Sequence, residues 1–175
     1  MENTNKLTVS YGNIFEGDFI LKILAIDPSS AKATKSNTGI VLIENGKLLD
    51  YWCLPYGVKG FRDWYKEEFN KIKCDKVIFE HFEARDNSKA KDNSVLETIA
   101  EIQRLIPEAE PFRNAGYSTD VPNELLKALG LWKFGKSHHA DVRAAARLAL
   151  FYAMRSDIED FINGVGELLN ETIQG

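Results

Sequence analysis

The sequence contains an unbroken apolar run, Ile23-Leu24-Ala25-Ile26, that leads directly into an acidic residue, Asp27. A short run of this kind is typical of a β-strand that is buried on both faces. Pro28 follows the aspartate and cannot donate the next ladder hydrogen bond, so the strand is expected to end there. A sheet holds a carboxylate at the end of a central strand rigidly, as a catalytic or ligand-binding group requires. Asp27 is therefore the first candidate functional residue.

The same arrangement occurs again where Val77-Ile78-Phe79 leads into Glu80. Apolar and aromatic side chains recur at helical spacing before this second run: Phe61, Trp64, Tyr65, Phe69 and Ile72. This spacing predicts a helix that returns the chain to a strand beside the first one, as in a right-handed crossover. Asp27 and Glu80 would then lie at the same edge of the sheet.

The segment between these two runs predicts an antiparallel meander. Asn45-Gly46 is a strong hairpin signal, and it separates the predicted strands 39–43 and 48–54. Together with the strand that ends at Asp27, these form three consecutive strands.

The second half of the chain is predominantly helical by its pattern. A helix over 94–106 is predicted with Ser94 and Glu97 as a capping box, and 109–112 is a weak fifth strand. A short helix is predicted over 125–129 and an alanine-rich helix from about Ser137. A last, acidic helix is predicted with Ser156 as its cap.

His138 and Asp141 stand three residues apart at the start of the alanine-rich helix, so they are expected to share one helix face. His139 would point about 100° away. A helix packed on the sheet can bring this face to the edge that carries Asp27 and Glu80. The sequence thus predicts three carboxylates and one imidazole around one cleft.

Such a cleft calls for a cation, because three carboxylates within a few ångströms cannot all stay ionised unaided. Oxygen-rich clusters suit Mg²⁺, and an imidazole adds some preference for Mn²⁺. Two ions roughly 3.5–4 Å apart would clamp a phosphodiester for in-line displacement. The predicted catalytic residues and metal ligands are the same four: Asp27, Glu80, His138 and Asp141.

Three sequence segments resemble the motifs of the RuvC family of Holliday-junction resolvases, within the RNase H-like nuclease superfamily. Residues 23–43 look like the first motif, 77–82 like the second, and 138–145 like the last, with His in place of the commoner Asp at position 138. The resemblance covers about residues 22–155. It implies an α/β, RNase H-like fold: a five-stranded mixed sheet with an antiparallel meander first, then parallel strands, flanked by helices.

The resemblance also implies a function. The expected activity is that of a crossover junction endodeoxyribonuclease, a homodimer that cuts four-way DNA junctions by paired nicks with two Mg²⁺ ions per site, which Mn²⁺ can replace. Compact members of the family are common in phages, so a phage origin and a bacterial or infected-host cytoplasmic location are expected.

Binding to branched DNA should be mostly electrostatic, despite a net charge of −4. Residues 156–175 hold five acidic residues and no lysine or arginine, and the rest of the chain carries a net charge of +1. Phe82 is a candidate for stacking on an unpaired base, or else a core residue that continues its strand. The other DNA-binding candidates are basic residues in loops or at helix starts: Lys32, Lys35, Arg85, Lys89, Lys91, Lys133 and Lys136.

Two other functions are compatible with the same sequence. One is an RNase H-like or YqgF-like nuclease that acts on RNA or RNA–DNA hybrids, and the other is a non-catalytic DNA-binding module. An actin-like phosphotransferase is disfavoured, because that architecture needs two such domains and a glycine-rich phosphate motif.

The chain is expected to be divided into an N-terminal extension (1–20), a nuclease domain (21–155) and an acidic C-terminal helix (156–175). No apolar run is long enough to cross a bilayer, and Cys53 and Cys74 are expected to be reduced thiols of a cytoplasmic protein. The broad apolar face of the predicted helix 94–106 is compatible with full burial in its own core, and the resemblance to a dimeric family makes it the candidate dimer interface.

Overall fold

The computed structural model describes residues 21–31, 36–83, 93–135 and 139–175. Five strands form one mixed sheet: β1 (Lys22–Asp27), β2 (Thr38–Glu44), β3 (Lys47–Leu54), β4 (Lys76–Glu80) and β5 (Glu110–Phe112). Their order across the sheet is β3-β2-β1-β4-β5. β1 to β3 form the antiparallel meander, and β4 and β5 run parallel to β1. The predicted fold class is confirmed.

Six α-helices and one 3₁₀ turn complete the described chain. They are α1 (Gly57–Glu67), the 3₁₀ turn Phe69–Lys71, α2 (Val95–Leu105), α3 (Tyr117–Asp120), α4 (Asn123–Ala128), α5 (Ala140–Arg155) and α6 (Glu159–Gln174). α1 and α2 cover one face of the sheet with a core that includes Phe61 and Ile102. α5 covers the other face. No helix among the described residues is long and apolar enough to cross a membrane.

β1 lies at the centre of the sheet between these two layers. Ile23, Leu24, Ala25 and Ile26 have no exposed surface, because alternate side chains enter the two separate cores. This explains why the apolar run is continuous rather than alternating.

α5 packs unusually close to β2 at its first turn. A Cβ atom added to Gly39 would lie 2.1 Å from the backbone oxygen of Asp141, which is well inside contact distance. Only a residue without a side chain fits there. Farther along α5, Ala145, Ala146 and Ala149 are fully buried, and their small side chains keep the helix near the sheet.

α2 is held against α1 by a charge cluster. Glu101 is 7% exposed and accepts hydrogen bonds from Arg104 (2.7 Å) and Arg62 (2.6 Å). These two guanidinium groups lower the pKa of Glu101 to about 2.

Most of the apolar face of α2 is buried within the chain. Ile99 and Ile102 are buried, whereas Leu96 is 37% exposed.

Three local predictions about helix ends were wrong. Ser94 makes no side-chain capping bond, and its Oγ lies 2.5 Å from that of Ser30. Ser156 belongs to the end of α5, because its N–H donates to Tyr152; the chain turns at Asp157, with φ of 51°, and Ile158 precedes α6. α5 begins at Ala140, three residues later than predicted.

We expect Gly39→Ala to destabilise the protein by about 2 kcal/mol, because the methyl group would force β2 and α5 apart. Gly166→Ala in α6 is the matched control: a Cβ atom added there would have no neighbouring atom within 4 Å, so helix propensity should stabilise that variant slightly. Denaturant unfolding of both variants measures the difference. Equal stability of the two would contradict the close approach of α5.

Candidate active site at the carboxyl edge of the sheet

Asp27 and Glu80 are brought together by the register of two parallel strands. Ile26 of β1 pairs with Phe79 of β4, so the acidic residues that follow them stand side by side. Their carboxyl groups share a hydrogen bond. Burial, the charge of Glu80 and this hydrogen bond, and then the charge of Asp141 raise the pKa of Asp27 well above its usual value. The site therefore stabilises a proton, or a cation, between these oxygens.

Asp141 reaches the same edge from the first turn of α5. Its Oδ2 accepts a hydrogen bond from the backbone N–H of Asn37 at 3.1 Å. Gly39 pairs with Asp27 across the β1–β2 ladder, so the close approach of α5 to Gly39 places Asp141 next to Asp27. Burial, and then the charge of Asp141, also raise the pKa of the Cys53 thiol on β3.

The structure adds two side chains that sequence reasoning missed. Asn114 follows β5 and donates a hydrogen bond from its amide to Oε1 of Glu80. Tyr117 of α3 is half-buried nearby, and its burial and the charges of Glu80 and Asp27 raise its pKa. Asp27 and Glu80 were predicted because a polar residue stands at the end of a strand. Asn114 stands near the end of β5, so the same signal applies to it.

Arg147 of α5 supports this side of the site. Its guanidinium carbon lies 5.4 Å from the centre of the Tyr117 ring, and its Nη2 donates to Asn123. The positive charge of Arg147 opposes the rise in the pKa of Tyr117. Arg147 thus links α5 to both the site and α4.

His138 lies outside the described residues. The described part of α5 begins at Ala140, with His139 in an extended conformation before it, so the predicted helix face shared by His138 and Asp141 is not tested. The role of His138 as catalytic residue and ligand remains a prediction.

Most of the predicted DNA-binding residues also fall in the part of the chain that the structure does not describe. Lys32, Lys35, Arg85, Lys89, Lys91 and Lys136 all lie outside the described residues. Lys133 is exposed to solvent. Phe82 is partly buried against the core beneath α1 and α2, which favours the core alternative for this ring.

The donor chemistry of the site fits a hard divalent cation. Asp27, Glu80 and Asp141 offer only oxygen atoms, and two of these carboxyl groups already touch. Within the described ranges, no group of three or more histidine, cysteine, aspartate or glutamate side chains is arranged so that it could hold a metal ion. The residues therefore match a divalent cation in the chemistry of their donor atoms.

We expect Asp27→Asn to raise the melting temperature in metal-free buffer at neutral pH. The folded-state pKa of Asp27 is raised, so ionising this group destabilises the fold above its unfolded pKa of about 3.8. The gain should be about 2–4 °C for each kcal/mol relieved.

The gain from Asp27→Asn should shrink as the pH falls towards 4 and the native carboxyl group becomes protonated in both states. Calorimetry from pH 4 to 8 in the presence of a chelator measures it. A variant less stable than the native protein throughout this range would show that Asp27 is not destabilised by its neighbours.

Comparisons with known proteins add a fold relationship. No protein-family model matches the sequence, and no curated protein matches it either. A Thermus thermophilus RuvC structure in complex with Holliday junction substrate superposes with a TM-score of 0.59 at 13% identity, over 80% of this chain and 97% of that one. Another Thermus thermophilus RuvC structure gives a TM-score of 0.54 at 16% identity, over 78% and 97%. The chain thus has the RuvC-like, RNase H-like fold that its motifs predicted.

Proposed function

We propose that this protein is a structure-specific endodeoxyribonuclease that resolves four-way (Holliday) DNA junctions. Paired metal-dependent nicks would leave 5′-phosphate and 3′-hydroxyl ends. The observation that carries the proposal is the contact between the Asp27 and Glu80 carboxyl groups at the sheet edge, with Asp141 beside them. This arrangement occurs on a fold shared with a RuvC that was solved with junction DNA.

The proposed ligands are Asp27, Glu80 and Asp141, together with His138. Two Mg²⁺ ions, or Mn²⁺ in their place, would lower the pKa of the attacking water and neutralise charge on the leaving oxygen. Asn114 orients Glu80 through its amide, and the Asn37 backbone N–H orients Asp141. Asp27 must lose its proton to act as a ligand, so its raised pKa predicts weak metal binding at low pH.

DNA would approach the edge of the sheet that carries the acids. The proposed phosphate contacts are Lys133 and six basic residues outside the described ranges: Lys32, Lys35, Arg85, Lys89, Lys91 and Lys136. Their contribution should be independent of sequence and weaken with salt. Phe82 stays a proposed base contact, although part of its ring is used in the core.

Two alternative functions share this fold. An enzyme acting on RNA or RNA–DNA hybrids would use the same carboxylates, so only the choice of substrate distinguishes it. A non-catalytic DNA-binding module would not need Asp27 and Glu80 in contact, since repulsion between them destabilises the fold. The retained contact therefore favours an enzyme.

We expect Asp27→Asn, Glu80→Gln and Asp141→Asn each to reduce cleavage of a synthetic four-way junction in Mg²⁺ by at least 100-fold. Each change removes negative charge that would hold the metal. DNA binding should persist or tighten, because repulsion from phosphates falls. Cleavage rates and gel-shift affinities measure the two effects separately.

Asp160→Asn, an exposed acid in α6, serves as the control for this set and should cleave normally. RNA–DNA hybrids and linear duplexes are the comparison substrates. Near-native cleavage by the Asp27 or Glu80 variant would refute the assignment, and faster cleavage of hybrids than of junctions would favour the RNA-directed alternative.

We also propose that the active form is a homodimer, because a four-way junction requires nicks on two like strands and each chain has one site. Since α2 uses most of its apolar face internally, Leu96 is the exposed large apolar residue of α2 that is expected at the interface. Sedimentation at micromolar concentration should give about twice the chain mass of 19.8 kDa. A strict monomer, even on junction DNA, would be inconsistent with paired nicking.

A further inference from the structure

A cavity of about 540 Å³ opens between β3 and α1, two strands away from Asp27. Three aromatic residues, Trp52, Tyr56 and Trp64, line it. Three acidic residues line it as well: Asp63, Glu67 and Glu68. No lysine, arginine or histidine is among its lining residues. An aromatic wall beside carboxylates is the chemistry that recognises an organic cation.

The carboxylates keep much of their charge available to a ligand. Asp63 pairs with Lys59 at 2.5 Å and Glu68 with Lys71 at 3.0 Å, but both lysines are more than two-thirds exposed, and such surface pairs are weak. Glu67 is exposed and forms no ion pair with any described residue. A cation entering the cavity would therefore meet Glu67 without first displacing a partner.

Tyr56 and the partly exposed Trp52 present ring surface to the cavity, whereas Trp64 is buried behind them against Phe61 and Phe69. These two rings differ from the third tryptophan in having no cation on them within the described chain. Trp132 carries Arg143 at 4.0 Å and Lys127 at 4.9 Å from its ring centre. Among the described residues, no cation stacks on Trp52, Tyr56 or Trp64. Tyr56 is 70% exposed, so its ring is free to cover a bound group.

Two features indicate that the cation belongs to a polypeptide. β3 is an edge strand, and on its outer side no described strand pairs with it, so an extended peptide can add to the sheet there. The carboxylates beside the cavity would in addition repel the phosphates of DNA, which disfavours a nucleic acid as the occupant.

We propose that this cavity, bounded by Trp52, Tyr56, Trp64 and Glu67, binds a lysine or arginine side chain of an extended segment of a partner protein. The rings of Tyr56 and Trp52 hold the cationic head, Glu67 neutralises it, and the edge of β3 holds the backbone. This site is separate from the carboxylate cluster and does not depend on nuclease activity.

The test uses the full chain with Trp132→Phe, so that tryptophan fluorescence reports only Trp52 and Trp64. The probe is a five-residue peptide with a central arginine between glycines, and the same peptide with citrulline is the neutral control. The arginine peptide should give a saturable fluorescence change and bind at least fivefold more tightly than the citrulline peptide. Calorimetry checks the affinity independently.

Two variants identify the groups responsible. Glu67→Gln removes the free carboxylate, and Tyr56→Leu keeps apolar area but removes the aromatic face; each should weaken arginine-peptide binding at least fivefold. Glu97→Gln, an exposed acid of α2 outside the cavity, should leave binding unchanged. Circular dichroism verifies that each variant is folded.

Several outcomes would overturn the proposal: no binding of the arginine peptide at millimolar concentration, equal binding of the citrulline peptide, or native affinity in the Glu67 variant. Tighter binding of spermidine than of the peptide would assign the cavity to polyamines instead. A protein that binds the peptide but does not cut junctions would retain this inference and lose the proposed function.

Discussion

Burial of β1 on both faces is the constraint on which the rest of the structure depends. Because Ile23 to Ile26 alternate between two cores, helices must cover both sides of the sheet: α1 and α2 on one, α5 on the other. The neighbours of β1 then fix the candidate site. β4 brings Glu80 beside Asp27, and β2 presents Gly39, over which the first turn of α5 carries Asp141.

The resulting cluster works against the stability of the fold. Asp27, Glu80 and Asp141 are close enough for the last two to raise the pKa of the first, and Asn114 and the Asn37 backbone hold two of them in place. Nothing about packing requires acids at these positions. Groups that break a local rule and are nevertheless oriented by hydrogen bonds are characteristic of functional sites.

The sequence predicted those parts of the molecule whose signals are long or repeated. The runs before Asp27 and Glu80, the Asn45-Gly46 turn and the aromatic spacing of α1 each depend on several residues, and the sheet followed from them. The ends of helices depend on only one or two side chains. The capping roles predicted for Ser94 and Ser156 were wrong, because Ser94 contacts Ser30 instead and Ser156 lies at the end of α5. Asn114 was missed because β5 has only three residues, one of them Pro111, and gives little pattern.

The position of the carboxylates in the sheet has a consequence for hydrogen exchange. Asp27 and Glu80 end β1 and β4, two interior strands whose amides should exchange only on global unfolding. Asn114 follows a three-residue edge strand, and Asp141 stands in the first turn of a helix, both of which can open locally. The half of the site formed by Asp27 and Glu80 is thus as stable as the whole protein. Asn114, which orients Glu80, and Asp141, which supplies the third carboxylate, can be released while the rest of the protein stays folded.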